Sequence, residues 1–189
     1  AFGGDVEAVP LHTGLIAARH VLGVDAVVVA QGPGNLGTGT RWGFSGVAAG
    51  EAVNAVAVLG GRAVGALRIS DADPRSRHQG ISHHSRTAYG RVALATADVV
   101  VPEMDELLAS AVEADLPALG GRHRIVRIGA AGLREALRAA PVPMSTMGRS
   151  LDQDFGYFLA AGCAGRHAAS LLQGPPPRGV LDEDVPPPA

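Results

Sequence analysis

The sequence predicts an α/β layered fold with a mixed or largely parallel sheet and flanking helices. Helix-like and strand-like segments alternate from residue 11 onward, which is the pattern of βα units. The strand-like segments are short and rich in Val, as expected of strands covered on both faces. Two long polar loops, one rich in Gly and one rich in His, each follow a strand-like segment. Strand order is not recoverable from this pattern.

Along the chain, Val6 to Pro10 reads as a first extended segment, and Thr13 as the cap of a short helix reaching Leu22, with Gly23 marking its end. Val24 to Ala30 has the composition of a buried strand. The loop from Gln31 to Gly43 leads into a helix over Phe44 to Leu59, with Val47, Val53, Val56 and Leu59 as packing positions. Gly60-Gly61 breaks that helix, and Arg62 to Ser70 returns to a strand. Asp71 to Ser82 is loop, and Ser82 caps a helix over His83 to Leu94. Asp98 to Val101 is a β-branched strand closed by Pro102. Glu103 to Ala114 is helical with acidic residues in its first turns, where the helix dipole favours them. His123 to Ile128 is strand-like, and Ala130 to Ala140 a helix with Leu133 and Leu137 on one face. Ser150 and Gln153 form a capping box before a helix over Leu151 to about Leu172.

The organisation this implies is one α/β domain over residues 1–173 followed by a Pro-rich acidic tail at 174–189, where Pro175-Pro176-Pro177 and Pro186-Pro187-Pro188 flank Asp182, Glu183 and Asp184. Hydrophobic residues make up 47% of the chain against 18% charged, enough for a core. Apolar stretches are strand-sized and interrupted, which argues against a membrane partner. The net charge of −2 supplies no field for nucleic acid, and no basic stripe with interleaved aromatics appears. All 16 basic residues are Arg, so a Schiff-base lysine and a Walker A lysine are both excluded from this chain. The single cysteine, Cys163, rules out an intrachain disulfide and a four-cysteine zinc site. It sits in an Ala-rich helix with His167 four residues on, and reads as a small buried thiol rather than a nucleophile.

Two constellations carry chemistry. In the first, Gly32, Gly34, Gly37 and Gly39 permit close backbone approach, Asn35, Thr38 and Thr40 offer polar atoms, and Arg41 offers an anion-directed fork. The pattern suits either a cradle for an anionic small molecule or a rigid turn. Trp42 and Phe44 beside it either stack on a flat ligand or anchor the loop. The Gly spacing is no dinucleotide fingerprint, because no helix opens there. The second constellation gathers Asp71, Asp73, Arg75, Arg77, His78, His83 and His84 within fourteen residues. Its imidazoles and carboxylates suit a divalent metal or metal-free acid–base work, with loop ion pairs as the structural alternative. His83 and His84, being adjacent, point about 100° apart in a helix, so shared ligation of one metal requires the helix to begin after His83. Weaker pointers are His12 with Asp5 and Glu7, and Ser145 to Ser150 ahead of the last helix. Met144 and Met147 read as gap fillers, and His20 as a helix-packing or surface residue.

The run Gln31-Gly32-Pro33-Gly34-Asn35-Leu36-Gly37-Thr38-Gly39-Thr40, the run Arg68-Ile69-Ser70-Asp71-Ala72-Asp73, and the run Arg77-His78-Gln79-Gly80-Ile81-Ser82-His83-His84 together resemble the uncharacterised bacterial family called Domain of Unknown Function 3866, over residues 1 to about 172. At Asn35 the chain departs from the pattern, which has Ile there, so no role at that position is carried over. The resemblance implies a bacterial protein without assigned activity, matched by this chain in its C-terminal part, with Ala1 to Asp5 as an internal segment. Partners then expected are a second copy of the chain or a separate N-terminal fragment. The functional reading is a cytoplasmic enzyme, or its catalytic part, that binds an anionic small molecule at the Gln31 to Gly43 loop. Asp71, Asp73, His78, His83 and His84 then carry polar or metal-assisted chemistry. A non-catalytic metabolite-sensing or protein-interaction module is the alternative.

Overall fold

The central strand β4 (Asp98–Pro102) is buried along its whole length, because parallel strands lie on both sides of it and helices cover both faces. This computed structural model describes residues 3–32 and 35–173; Gly34 of the glycine-rich loop and the tail expected at 174–189 lie outside the described residues. The chain contributes α1 (Leu11–His20), α2 (Ala48–Val58), β1 (Val64–Ala66), β2 (Ile69–Ser70), β3 (Gly80–Ile81) and α3 (His83–Thr87) before β4. After it come α4 (Glu106–Asp115), β5 (Arg124–Ile128), α5 (Leu133–Arg138), β6 (Ser145–Thr146), β7 (Arg149–Ser150) and α6 (Phe155–Leu171).

The sheet order is β1-β4-β5, all parallel, with Gly65 opposite Val99 and Val100 opposite Val126. Side chains alternate across β4. Val99 and Val101 enter a core with Val53, Ile69, Ile81 and Val112, whereas Val100 faces Leu133, Leu159 and Cys163. Two antiparallel pairs, β2 with β3 and β6 with β7, complete a mixed α/β fold with flanking helices. The expected strand over Arg62 to Ser70 is therefore two strands in different sheets. In the first antiparallel pair Ile69 lies opposite Ile81, both fully buried. In the second, Met147 (φ 49°) and Gly148 (φ 78°) make the turn, since both central positions of a tight hairpin need left-handed backbone.

Several expectations are corrected. Val24 to Ala30 is not a buried strand: no ladder forms there and Val28 is 93% exposed. Apolar composition suits burial, but burial needs neighbours, and no described strand lies beside this segment. Val6 to Pro10 is likewise not a strand, and α1 begins at Leu11 with Pro10 at its N-cap position, upstream of Thr13. The helix expected to Leu94 ends early as α3 and continues as a wide π turn over Ala88–Val92. Asn54 stabilises its exit by donating to the Val92 carbonyl (3.1 Å) and accepting from Leu94 N (2.7 Å) and Ala95 N (3.1 Å). The final helix begins at Phe155, and Ser150 and Gln153 instead close the turn before it, with Ser150 N donating to Gln153 Oε1 at 2.8 Å.

A buried carboxylate pins the lower end of the sheet. Asp98 Oδ2 accepts from Arg62 Nε (3.0 Å) and pairs with His167 Nε2 (2.7 Å), while Oδ1 meets Arg124. Burial alone would raise its pKa, yet the bonds from His167, Arg124 and Arg62 prevail and hold it below the usual carboxylate range.

Two outcomes follow from this packing. A depressed folded-state pKa contributes stability above the unfolded carboxylate value of about 4, and this is lost as pH falls through the folded value. Urea midpoints of the wild-type chain should therefore drop between pH 6 and pH 3, and Asp98→Asn should lower the pH 6 midpoint and flatten the slope. At Gly50, a Cβ would stand 2.3 Å from the Ala88 carbonyl oxygen and 2.7 Å from Val92 Cβ. Gly50→Ala should cost roughly 1–3 kcal/mol in denaturant melts through overpacking, despite alanine's better helix propensity.

Candidate functional site

The segment from Arg68 to His84 folds around one hydroxyl. Ser70 Oγ accepts from Ala72 N (3.2 Å) and Asp73 N (3.0 Å) and donates to Asp154 Oδ1 (2.8 Å), which bends the chain inward directly after β2. Asp73 is thereby buried completely. Its Oδ1 accepts from Arg75 N (3.0 Å) and Arg75 Nε (2.9 Å), and its Oδ2 from Arg75 (2.8 Å), Arg68 (3.0 Å) and Arg149 (3.3 Å). The side-chain bonds from Arg75 hold the Asp73 pKa well below the ordinary range. Arg149 also donates through Nε to the buried Asp154 (2.9 Å), so one guanidinium spans both carboxylates.

Beyond this network the chain makes a 3₁₀ turn over Ser76–His78, crosses β3, and enters α3. Ser82 caps α3 by accepting from His84 N at 3.2 Å, and its Oγ lies 2.7 Å from His78 Nδ1. The rings of His78, His83 and His84 converge, with centroids 4.9 Å apart for the first pair, 5.0 Å for His78 with His84, and 4.3 Å for His83 with His84. One nitrogen from each lies within 4.8 Å of the others, so this group is able to chelate a divalent metal. The helix begins at His83, yet His83 and His84 each still bring a ring nitrogen into the group, which corrects the expectation that the helix must begin after His83.

The surroundings disfavour the charged form of all three imidazoles. Burial first, then Arg68 and Arg75, pulls His78 down to about 3. Burial and then His83 bring His84 to about 4, and burial followed by Arg77 lowers His83. The surroundings are therefore cationic as well as enclosed.

The glycine-rich loop meets this cluster at its two ends. Asn35 Nδ2 lies 2.9 Å from His84 Nδ1, and Phe44, itself buried, stacks on His84 with centroids 4.1 Å apart and rings 11° from parallel. Gly37 bridges to Phe44, and Thr38 N donates to the Gly43 carbonyl at 2.6 Å. Thr38 Oγ1 and Thr40 Oγ1 are 2.9 Å apart and turn toward each other, so their hydroxyls shape the turn. Gly32, Gly39 and Arg41 are exposed, as is Asp71 in the second loop. Of the residues singled out by sequence, the fold gathers Asn35, Asp73, His78, His83 and His84. The sequence reading missed Arg68, Ser70, Arg149 and Asp154 as partners of this site. Arg149 lies in the Ser145 to Ser150 segment already singled out ahead of the last helix, and Arg68 and Ser70 lie in one of the family runs, but nothing local pointed to Asp154. The two main surface grooves, about 210 Å³ beside Val101 and Arg127 and about 420 Å³ beside Leu137 and Asp152, contain none of the three histidines.

With the geometry in place, comparison with known proteins gives a match of residues 1–165 to the family described as Protein of unknown function (DUF3866). The chain belongs to this family. The expected correspondence to a C-terminal part is corrected by that span, which is the N-terminal bulk of the chain and stops at 165 rather than about 172. No curated protein and no solved structure matches. Among the described residues of this DUF3866 member, no helix is long and apolar enough to cross a membrane.

Removing the charge of Asp73 would leave three guanidiniums facing each other in a buried space. Asp73→Asn should therefore destabilise the fold by about 3–5 kcal/mol, the usual cost of breaking a buried ion pair from one side. Paired urea titrations of wild type and variant measure it.

Proposed function

We propose that the His78, His83, His84 cluster, with Asn35 and Phe44 against it, is the ligand site of an enzyme, or of an enzyme's catalytic part, acting on an anionic small molecule. The observation that carries this reading is the gathering of three imidazoles whose charged form is disfavoured, by burial first and then by Arg68, Arg75, Arg77 and Arg86. Neutral imidazoles offer both N–H donors and lone pairs, and the arginines favour negative charge. His83 makes no side-chain hydrogen bond among the described residues, which suits it to move a proton to or from the ligand. Asp73, occupied by its arginines, serves to hold that field in place. A divalent metal centre is the second reading, favoured by the 4.8 Å grouping of ring nitrogens.

Thermal melts of the 189-residue chain with inorganic phosphate, acetate, zinc or manganese test the site. At least one should raise the melting temperature, and His83→Ala should abolish that rise while leaving the unliganded melt close to wild type. An identical ligand-induced rise in His83→Ala would remove the cluster as the site. Turnover across a panel of phosphorylated and carboxylated metabolites separates an enzyme from a sensing module, which would bind without converting any of them.

A further inference from the structure

The hydrogen bonds behind the imidazoles distinguish which ligand they are built for. Ser45 Oγ accepts from Leu36 N (3.1 Å) and Gln31 Nε2 (3.2 Å), so its own proton goes to Asn35 Oδ1 (2.8 Å). Gly46 N donates to the same oxygen at 3.0 Å. Two donors thus fix the orientation of the Asn35 amide and leave its NH₂ facing His84 Nδ1. His84 Nδ1 must accept, and the neutral ring then carries its proton on Nε2. Ser82 Oγ accepts from His84 N and keeps one lone pair and one proton, so it serves either tautomer of His78, and His84 is the ring whose proton the surrounding bonds fix.

A metal-ligating histidine needs the reverse arrangement, with a lone pair toward the ion and the other ring N–H given to an acceptor behind it. Asn35 supplies a donor where a metal centre would place a carboxylate or carbonyl. His84 in this state is therefore not set up as a metal ligand, although the spacing of the three rings would admit a cation. Charge points against a cation: Arg68, Arg75, Arg77 and Arg149 outnumber Asp73 and Asp154 around the cluster. Arg68 Nε is in addition a buried donor with no partner among the described residues.

We propose that the ligand presents an oxyanion, carboxylate or phosphate, directly to the Nε2–H of His84 at the His78, His83, His84 cluster without a bridging metal. In this proposal Asn35 is the positioning residue that sets this choice. It rests on the reading of the cluster as a ligand site and adds the ligand's chemistry. The isosteric change Asn35→Asp keeps the acceptor for Ser45 and Gly46 and puts a second acceptor behind His84. That change should turn the ring over to the Nδ1–H tautomer and the lone pair toward the site.

Long-range ¹H–¹⁵N correlation on the wild-type chain reads the tautomer without any variant, and should show His84 protonated on Nε2. Calorimetric titration with inorganic phosphate alone should show binding by the wild type, and with zinc chloride alone none at the cluster. N35D should weaken phosphate and strengthen zinc, each by about 10-fold or more, the range that groups behind a metal ligand command. A wild-type Nδ1–H tautomer at His84, zinc binding that His84→Ala removes, or an N35D variant with unchanged preferences would overturn the oxyanion proposal and leave the ligand site standing. If neither probe binds and no histidine variant alters any melt, both readings fall together.

Discussion

A carboxylate fully removed from water must be surrounded by donors, and at Asp73 that requirement organises the part of the molecule where function is concentrated. Three guanidiniums from separate places in the sequence, Arg68 just before β2, Arg75 in the following loop and Arg149 in β7, meet on its two oxygens. Each ion pair closes a different length of chain, and Arg149 carries the link on to Asp154 at the head of α6. The loop after β2 is held by this charge balance, since it has little apolar surface of its own.

The consequence for the site is electrostatic as much as geometric. Burial first, and with it Arg68 and Arg75, which also neutralise Asp73, disfavours charge on His78 and His84. Their field extends beyond the carboxylates that neutralise them, because cations exceed anions in the cluster. Phe44 stacks on His84 and meets His83 edge-on, so an aromatic ring covers part of the cluster. Such a setting strengthens any hydrogen bond an imidazole donates, by lowering the local dielectric around it.

The glycine-rich loop shows how composition and spacing leave the partners of individual side chains open. Thr38 and Thr40, with hydroxyls suited to an anion, spend them on each other and on the turn. Asn35 and Phe44, on either side of that turn, are the residues that reach His84. Spacing along the chain shows a turn but not which of its residues lands next to an element nearly fifty positions away. Val24 to Ala30 fails for a related reason, because its apolar run describes what the segment would bury and says nothing about whether a neighbour is there to bury it.

The sequence by itself determined the α/β class, the buried Val-rich strand at Asp98 to Pro102, the Ser82 cap and the density of histidine after Ser70. All of these depend on local periodicity, capping chemistry or composition, which the chain displays residue by residue. The convergence of His78, His83 and His84 was decided by tertiary structure, as was the direction each ring presents. Those depend on donors from distant segments, Asn35 oriented by Ser45 and Gly46, and on a buried Asp73 whose balancing charges include Arg149. Hydrogen-bond direction and charge compensation are relations between groups brought together in space, so they exist only once the chain has folded.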